Sequence, residues 1–172
     1  KRGVRLLCVA LALTVVTAVI MPMMHFEGAE IYFGILHLLS LSMLIFSALR
    51  AGLDKINPIV GIIICIAIYI FTYGVSAGYV GIAGLKTFNL PAVLYRTNYF
   101  MPLGFFNSSF HSADYFPLLP HLFMFLTGTF VGVYATNGRF PAFTYRQRSK
   151  ALCFLGRHAL VIYIAHQPII YG

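Results

Sequence analysis

The side chains able to do chemistry in this chain sit where chemistry is costly. His37, His121 and His166 fall inside long apolar blocks, and so do Arg157 and His158. An ionisable group in hydrocarbon is expensive to hold and marks a functional position by default. A neutral imidazole, with an ordinary pKa of about 6.5, suits general-base work at neutral pH and typically contributes about 10²–10⁴-fold. At 1.5 Å of helix rise per residue, His37 and His121 lie roughly 9 Å and His166 roughly 8 Å beneath the same membrane face. The sequence therefore predicts one layer of three imidazoles. The plainer alternative for each is a neutral ring bonded to a backbone carbonyl or a hydroxyl.

Asp114 adjoins that layer, next to Tyr115. It either complements a helix dipole from the first turn or orients a histidine in a relay, and both roles stay open. The string Asp114-Tyr115-Phe116-Pro117-Leu118-Leu119-Pro120-His121 breaks a helix where a span should begin. Carbonyls freed by proline at such entrances commonly line cavities. Arg157 and His158 lie roughly 10 Å from the opposite face. Arg157 either snorkels to that face or meets a phosphate there. His25 and His111 fall in loops and read as surface histidines.

These residues need spans to hold them, and the composition supplies spans. Of 172 residues, 60 % are hydrophobic and 9 % are charged, against about 25 % charged in a soluble domain. The expected fold is an all-α polytopic bundle of about five helices: Val4–Met21, Ile31–Leu49, Pro58–Ala77, Tyr115–Tyr134 and Ala151–Tyr171. Residues 1–172 read as a single transmembrane domain. Between the third and fourth spans runs a long aromatic loop, Gly78–Asp114, expected either to cap the bundle as a re-entrant or interfacial segment or simply to rest on the headgroups. With no Trp in the chain, Tyr and Phe must form the interfacial belt.

The formal charge of +8 does not indicate nucleic acid. The cations fall in short runs between apolar blocks, as topology signals do. Lys1, Arg2, Arg5, Arg50, Lys55, Arg139, Arg146, Arg148 and Lys150 share one side, and Lys86 and Arg96 the other. The basic side reads as cytoplasmic, which puts the N-terminus inside and the C-terminus outside. Cys8, Cys65 and Cys153 show no metal or redox spacing, so no disulfide and no metal is expected. The chain has no Gly-rich phosphate loop, no H-E-x-x-H and no nucleophile elbow.

Three segments carry a family resemblance: Tyr32-Phe33-Gly34-Ile35-Leu36-His37, Asp114 to Pro120, and the string from Phe154 to Pro168 containing Gly156-Arg157-His158 and Ala165-His166-Gln167. In this order the chain resembles the bacterial relatives of heparan-alpha-glucosaminide N-acetyltransferase, a branch of the transmembrane acyltransferases. The resemblance implies transfer of an acetyl or acyl group from cytoplasmic acetyl-CoA, or another acyl-CoA, to a sugar or glycan acceptor across the bacterial inner membrane. It implies further spans upstream of Lys1, one bearing an outer histidine, so that the chain corresponds to the C-terminal portion of the family's catalytic domain. His37, Asp114, His158 and His166 become catalytic candidates. Arg157, with Arg146, Arg148 and Lys150, becomes the site for the donor's phosphates. His121, Tyr115 and Gln167 become acceptor contacts. His121 stands where the family carries an aromatic residue, so any role for it belongs to this chain in particular. Membrane lipid is the expected surrounding, and oligomer formation stays open. Two other readings fit the histidines: axial haem ligands of an electron-transfer protein, or the polar path of a transporter or flippase subunit.

Overall fold

The structure is a computed structural model. It describes residues 1–25, 28, 30–82, 88–145 and 149–171, with side chains through residue 165. Lipid offers the backbone no hydrogen bonds, so long apolar blocks close into helices. Among the described residues four helices are long and apolar enough to cross a membrane: α1 (Arg2–Met23), α2 (Ile35–Leu53), α3 (Pro58–Ala77, its last turn 3₁₀) and α4 (Leu118–Thr136). The chain is an all-α membrane bundle.

The fifth apolar block is helical too, but as two pieces, α5 (Lys150–Arg157) and α6 (Ala159–Tyr171). His158 separates them with a backbone outside the helical region, φ −104° and ψ 11°. The helix starts also differ from those expected. Residues 31–33 are not helical and α2 begins at Ile35, after Gly34. In α4, Leu119 is extended at φ −92° and ψ 125°, the conformation that a following proline favours. The Leu119–Pro120 peptide bond is cis.

Packing follows from the smallness of the contact residues. Lipid is as apolar as leucine, so spans associate through close backbone approach rather than water exclusion. Helix α1 buries Gly3, Ala10 and Thr17, seven residues apart, and packs along α2. A Cβ at Gly3 would stand 3.2 Å from Met43 Cβ. Helix α3 starts with Asn57 capping the Ile59 amide at 3.0 Å. It buries Gly61 and Cys65, and the Phe130 ring of α4 fills the space over Gly61, where a Cβ would meet it at 2.6 Å. Cys65, Leu126 and Phe130 form one core cluster. Phe33, Leu38 and Leu118 form the other, with Met101, Leu103, Tyr115 and Phe116 packed on it.

That second cluster ties the long loop to the bundle. The loop opens with a short hairpin in which Tyr79 faces Asn89 and Val80 faces Phe88. Further on, Phe106, Phe110 and Tyr115 form an aromatic triangle with ring centroids 5.1–5.2 Å apart. The Tyr115 hydroxyl donates to Met101 O at 2.6 Å, and Tyr95 donates to Val75 O. Apolar burial raises the ionisation range of both phenols. The chain divides into two compact units, Lys1–Val133 and Tyr134–Gly172.

Candidate functional site

In the first unit the polar cluster is built from the start of α2. Gly34 is the N-cap and has no side chain with which to cap. The cap comes from 79 residues away: Asp114 Oδ2 accepts the Ile35 N–H at 3.1 Å. Segment 112–116 is held beside 30–34 by Ala113 N–H to Glu30 O at 2.9 Å and Phe116 N–H to Phe33 O at 3.1 Å. A Cβ at Gly34 would collide with Asp114 Oδ2. Glycine is therefore required there by the approach of the carboxylate, at an ordinary extended backbone of φ −95° and ψ −174°.

His37, buried at 5 % exposure, closes the cluster. Its Nδ1 lies 3.4 Å from Gly34 N and its Nε2 lies 3.3 Å from Thr14 Oγ1 of α1. An amide can only donate, so Nδ1 accepts and the neutral ring carries its proton on Nε2. The Asp114 carboxylate acts on this ring electrostatically. A helix start without its own cap, a distant acid that supplies one and a ring that bridges two spans thus form one cluster.

His121 has the opposite tautomer. Its Nδ1 is 2.9 Å from Pro117 O, and a carbonyl can only accept, so Nδ1 donates and, in the neutral ring, Nε2 is the nitrogen with the lone pair. Pro117 lies just before α4, whose first turn is interrupted by the extended Leu119, and its carbonyl meets the ring there. The ring sits against Phe116 at 5.6 Å and Tyr69 at 6.4 Å. No hydrogen bond to Nε2 occurs among the described residues. Thus His37 looks toward α1 and His121 toward α3. Depth along the two helices agrees; direction does not.

The loop adds an open cleft of about 470 Å³ whose walls include Glu30, Tyr32, Asn98, Ser109, Phe110 and His111. Met101 belongs both to this cleft and to the packing on Phe33 and Leu118. The cleft combines a carboxylate, an amide, a hydroxyl and an imidazole with two aromatic faces. Nothing in the sequence singles out Glu30 or Thr14, and His111 reads there as a surface residue. For Gly34 a signal does exist: a helix opening on Phe33-Gly34-Ile35 has no local capping side chain.

The remaining expected residues lie in the second unit. Lys150 and Arg157 are exposed, at the two ends of α5. His158 caps α5, its Nδ1 donating to Phe154 O at 2.9 Å with the two rings 4.3 Å apart. His166 and Gln167 belong to α6, but their side chains lie outside the described residues, as do Arg146 and Arg148 altogether.

Fold and site thus define a polytopic all-α membrane protein with two tautomerically distinct imidazoles near one end of its bundle. The catalytic-domain family of heparan-alpha-glucosaminide N-acetyltransferase matches residues 1–168. The chain belongs to that family, a family of membrane acetyltransferases. Neither a curated protein nor a solved structure matches it.

Proposed function

We propose that the chain forms part of a membrane acyltransferase that takes an acetyl group from cytoplasmic acetyl-CoA and passes it to a sugar or glycan amine or hydroxyl on the outer side. The orientation rests on the Lys/Arg asymmetry, which turns the loop-capped end outward and the basic end to the cytoplasm, as in a bacterial inner membrane. The observation that carries the mechanism is the open Nε2 of His121. Base catalysis needs a lone pair within reach of the acceptor, and both nitrogens of His37 are already engaged.

In this reading the acceptor's N–H or O–H proton passes to His121 Nε2 as its nitrogen or oxygen bonds the acyl carbon. The carbon–sulfur bond of the thioester breaks, and the CoA thiolate takes up a proton on the donor side. His37 and Asp114 hold the mouth of α2 against α1 and keep a carboxylate beside the reacting end. Arg157, with Arg146, Arg148 and Lys150, supplies cations matched to the donor's phosphates. The cleft of Glu30, Asn98, Ser109 and His111 matches the hydroxyls and amine of a sugar, while Tyr32 and Phe110 suit its C–H face. His166, on α6, is the second candidate for the proton, supported by the sequence pattern alone.

The test is transfer of labelled acetyl by the full-length protein in sealed proteoliposomes, with acetyl-CoA confined to the face of the basic loops and an amino sugar to the other. The reading expects labelled sugar opposite the donor. Label that appears only when donor and acceptor share a face contradicts it. Uptake of sugar without any acyl-CoA would favour the transporter reading, and a Soret band in pure protein the haem reading.

A further inference from the structure

We propose that α5 is an interfacial helix that binds anionic phospholipid headgroups, lying along the membrane surface rather than forming the first turns of a fifth span. Four features within the second unit carry this. First, residues 134–172 contain Arg139, Arg146, Arg148, Lys150 and Arg157 and not one Asp or Glu. The segment's charge complements a negative surface and nothing else in its own sequence. Second, α5 is amphipathic over its eight residues, Lys150–Arg157. Lys150 and Arg157, seven residues or about two turns apart, share one face, and Ala151, Leu152 and Leu155 share the opposite one. Third, that apolar face is uncovered: Leu152 is 70 % and Leu155 50 % exposed. Fourth, the helix is closed at both ends. Ser149 Oγ accepts the Leu152 N–H at 3.3 Å. At the other end the His158 N–H closes the helix on Phe154 O and Leu155 O, both at 3.2 Å, its ring adds a second donor to Phe154 O at 2.9 Å, and its own backbone leaves the helical region. The next helix then starts anew, with Ile162 N–H on His158 O at 2.9 Å.

A capped, eight-residue helix with an exposed apolar side and a basic side fits the boundary between headgroups and acyl chains. Such helices sink their apolar face about 5–10 Å into that boundary. Juxtamembrane cations are drawn to acidic lipid at the same level. Arg139 reinforces the position, with its guanidinium 5.7 Å from the centre of the Tyr134 ring, a pairing suited to the interface. The break at His158 lets α5 lie along the surface while α6 takes its own direction. The proposal does not rest on the donor site, and its tests use no acyl-CoA.

The first test is a depth profile. Single cysteines at positions 150–165 of the full-length protein, in a background with Cys8, Cys65 and Cys153 replaced, carry spin labels in vesicles of phosphatidylcholine and phosphatidylglycerol. An interfacial helix predicts that depth oscillates with helical period through 150–157, deepest at 151, 152 and 155, with no net drift. From 159 onward it changes steadily, about 1.5 Å per residue for a helix along the membrane normal. A steady drift through 150–165 with no break at 158, or water exposure at every position of 150–157, overturns the proposal. The second test compares retained phosphatidylglycerol and phosphatidylcholine by native mass spectrometry. Wild type should favour the anionic lipid. Lys150→Gln and Arg157→Gln should each lower that preference about five-fold, and together about 25-fold. Equal retention of both lipids by wild type, or an undiminished preference in the double variant, refutes headgroup binding.

Discussion

Gly34→Ala puts the strongest geometric claim at risk. The backbone at Gly34 is one that alanine adopts without strain, so the chain itself gains about 0.4–1 kcal/mol from a less flexible unfolded state. Against this stands the collision. The new Cβ meets Asp114 Oδ2 and lies 3.0 Å from Ile31 Cγ2, an overpacking that typically costs about 1–3 kcal/mol. Asp114 must withdraw, which strands the Ile35 amide and removes an N-cap worth about 0.5–2 kcal/mol. The net loss is about 0.5–4.5 kcal/mol, and its middle corresponds to a fall of about 5–10 °C in unfolding midpoint for a chain of this size. Gly52, in the last turn of the same helix, is the control, because no atom lies within 4 Å of the place its methyl group would take; Gly52→Ala should be neutral or slightly stabilising. The assay is thermal unfolding in detergent read by a thiol-reactive dye, with buried Cys65 as reporter and exposed Cys8 and half-buried Cys153 replaced. A double variant with Asp114→Ala adds the energetic coupling: the two losses should sum to more than the pair costs together. Equal midpoints for Gly34→Ala and Gly52→Ala would refute the reasoning.

Three further outcomes follow from the same geometry. Nitrogen-15 histidine spectra near neutral pH should show His37 with its proton on Nε2 and His121 with its proton on Nδ1; the same tautomer at both rings contradicts the site. Tyr115→Phe should cost about 1–2 kcal/mol by leaving Met101 O without its donor, and wild-type stability in that variant would remove the loop clasp. Burial raises the Tyr115 phenol above its unfolded range, so the folded state holds the proton more tightly. The contribution is then fully present below about pH 10 and is lost as pH rises through the folded value. Tyrosinate absorbance should leave at least one phenol neutral above that range until unfolding, whereas complete ionisation of a folded protein denies the burial.

The sequence disclosed which histidines sit near helix starts better than where those starts fall or which way the rings turn. Counting from Ile31 and Tyr115 puts His37 and His121 roughly 9 Å along their spans, but α2 begins at Ile35 and α4 at Leu118, so both lie within the first turns of their helices. Which neighbour each ring faces depends on how helices cross and on where Thr14 and Tyr69 fall, and no periodicity encodes that. Helix starts shift for a related reason. Residues 31–33 are as apolar as the span they precede, but Thr17 Oγ1 takes the Ile31 amide at 3.1 Å and Asp114 takes that of Ile35. These long-range bonds hold the segment out of the helix. The interruption at His158 is hidden from sequence because hydropathy measures length and not caps. The cleft is hidden because Glu30 and His111 are far apart in the chain and meet only through the loop's packing.

The central claim is that His121, with its open Nε2, takes the acceptor's proton. Single-turnover transfer by the full-length protein, with donor and acceptor saturating, measures this most directly. His121→Ala should slow the transfer step about 10²–10⁴-fold while donor binding stays at the wild-type level. An unchanged rate in His121→Ala, with the loss appearing in His166→Ala instead, would contradict the account.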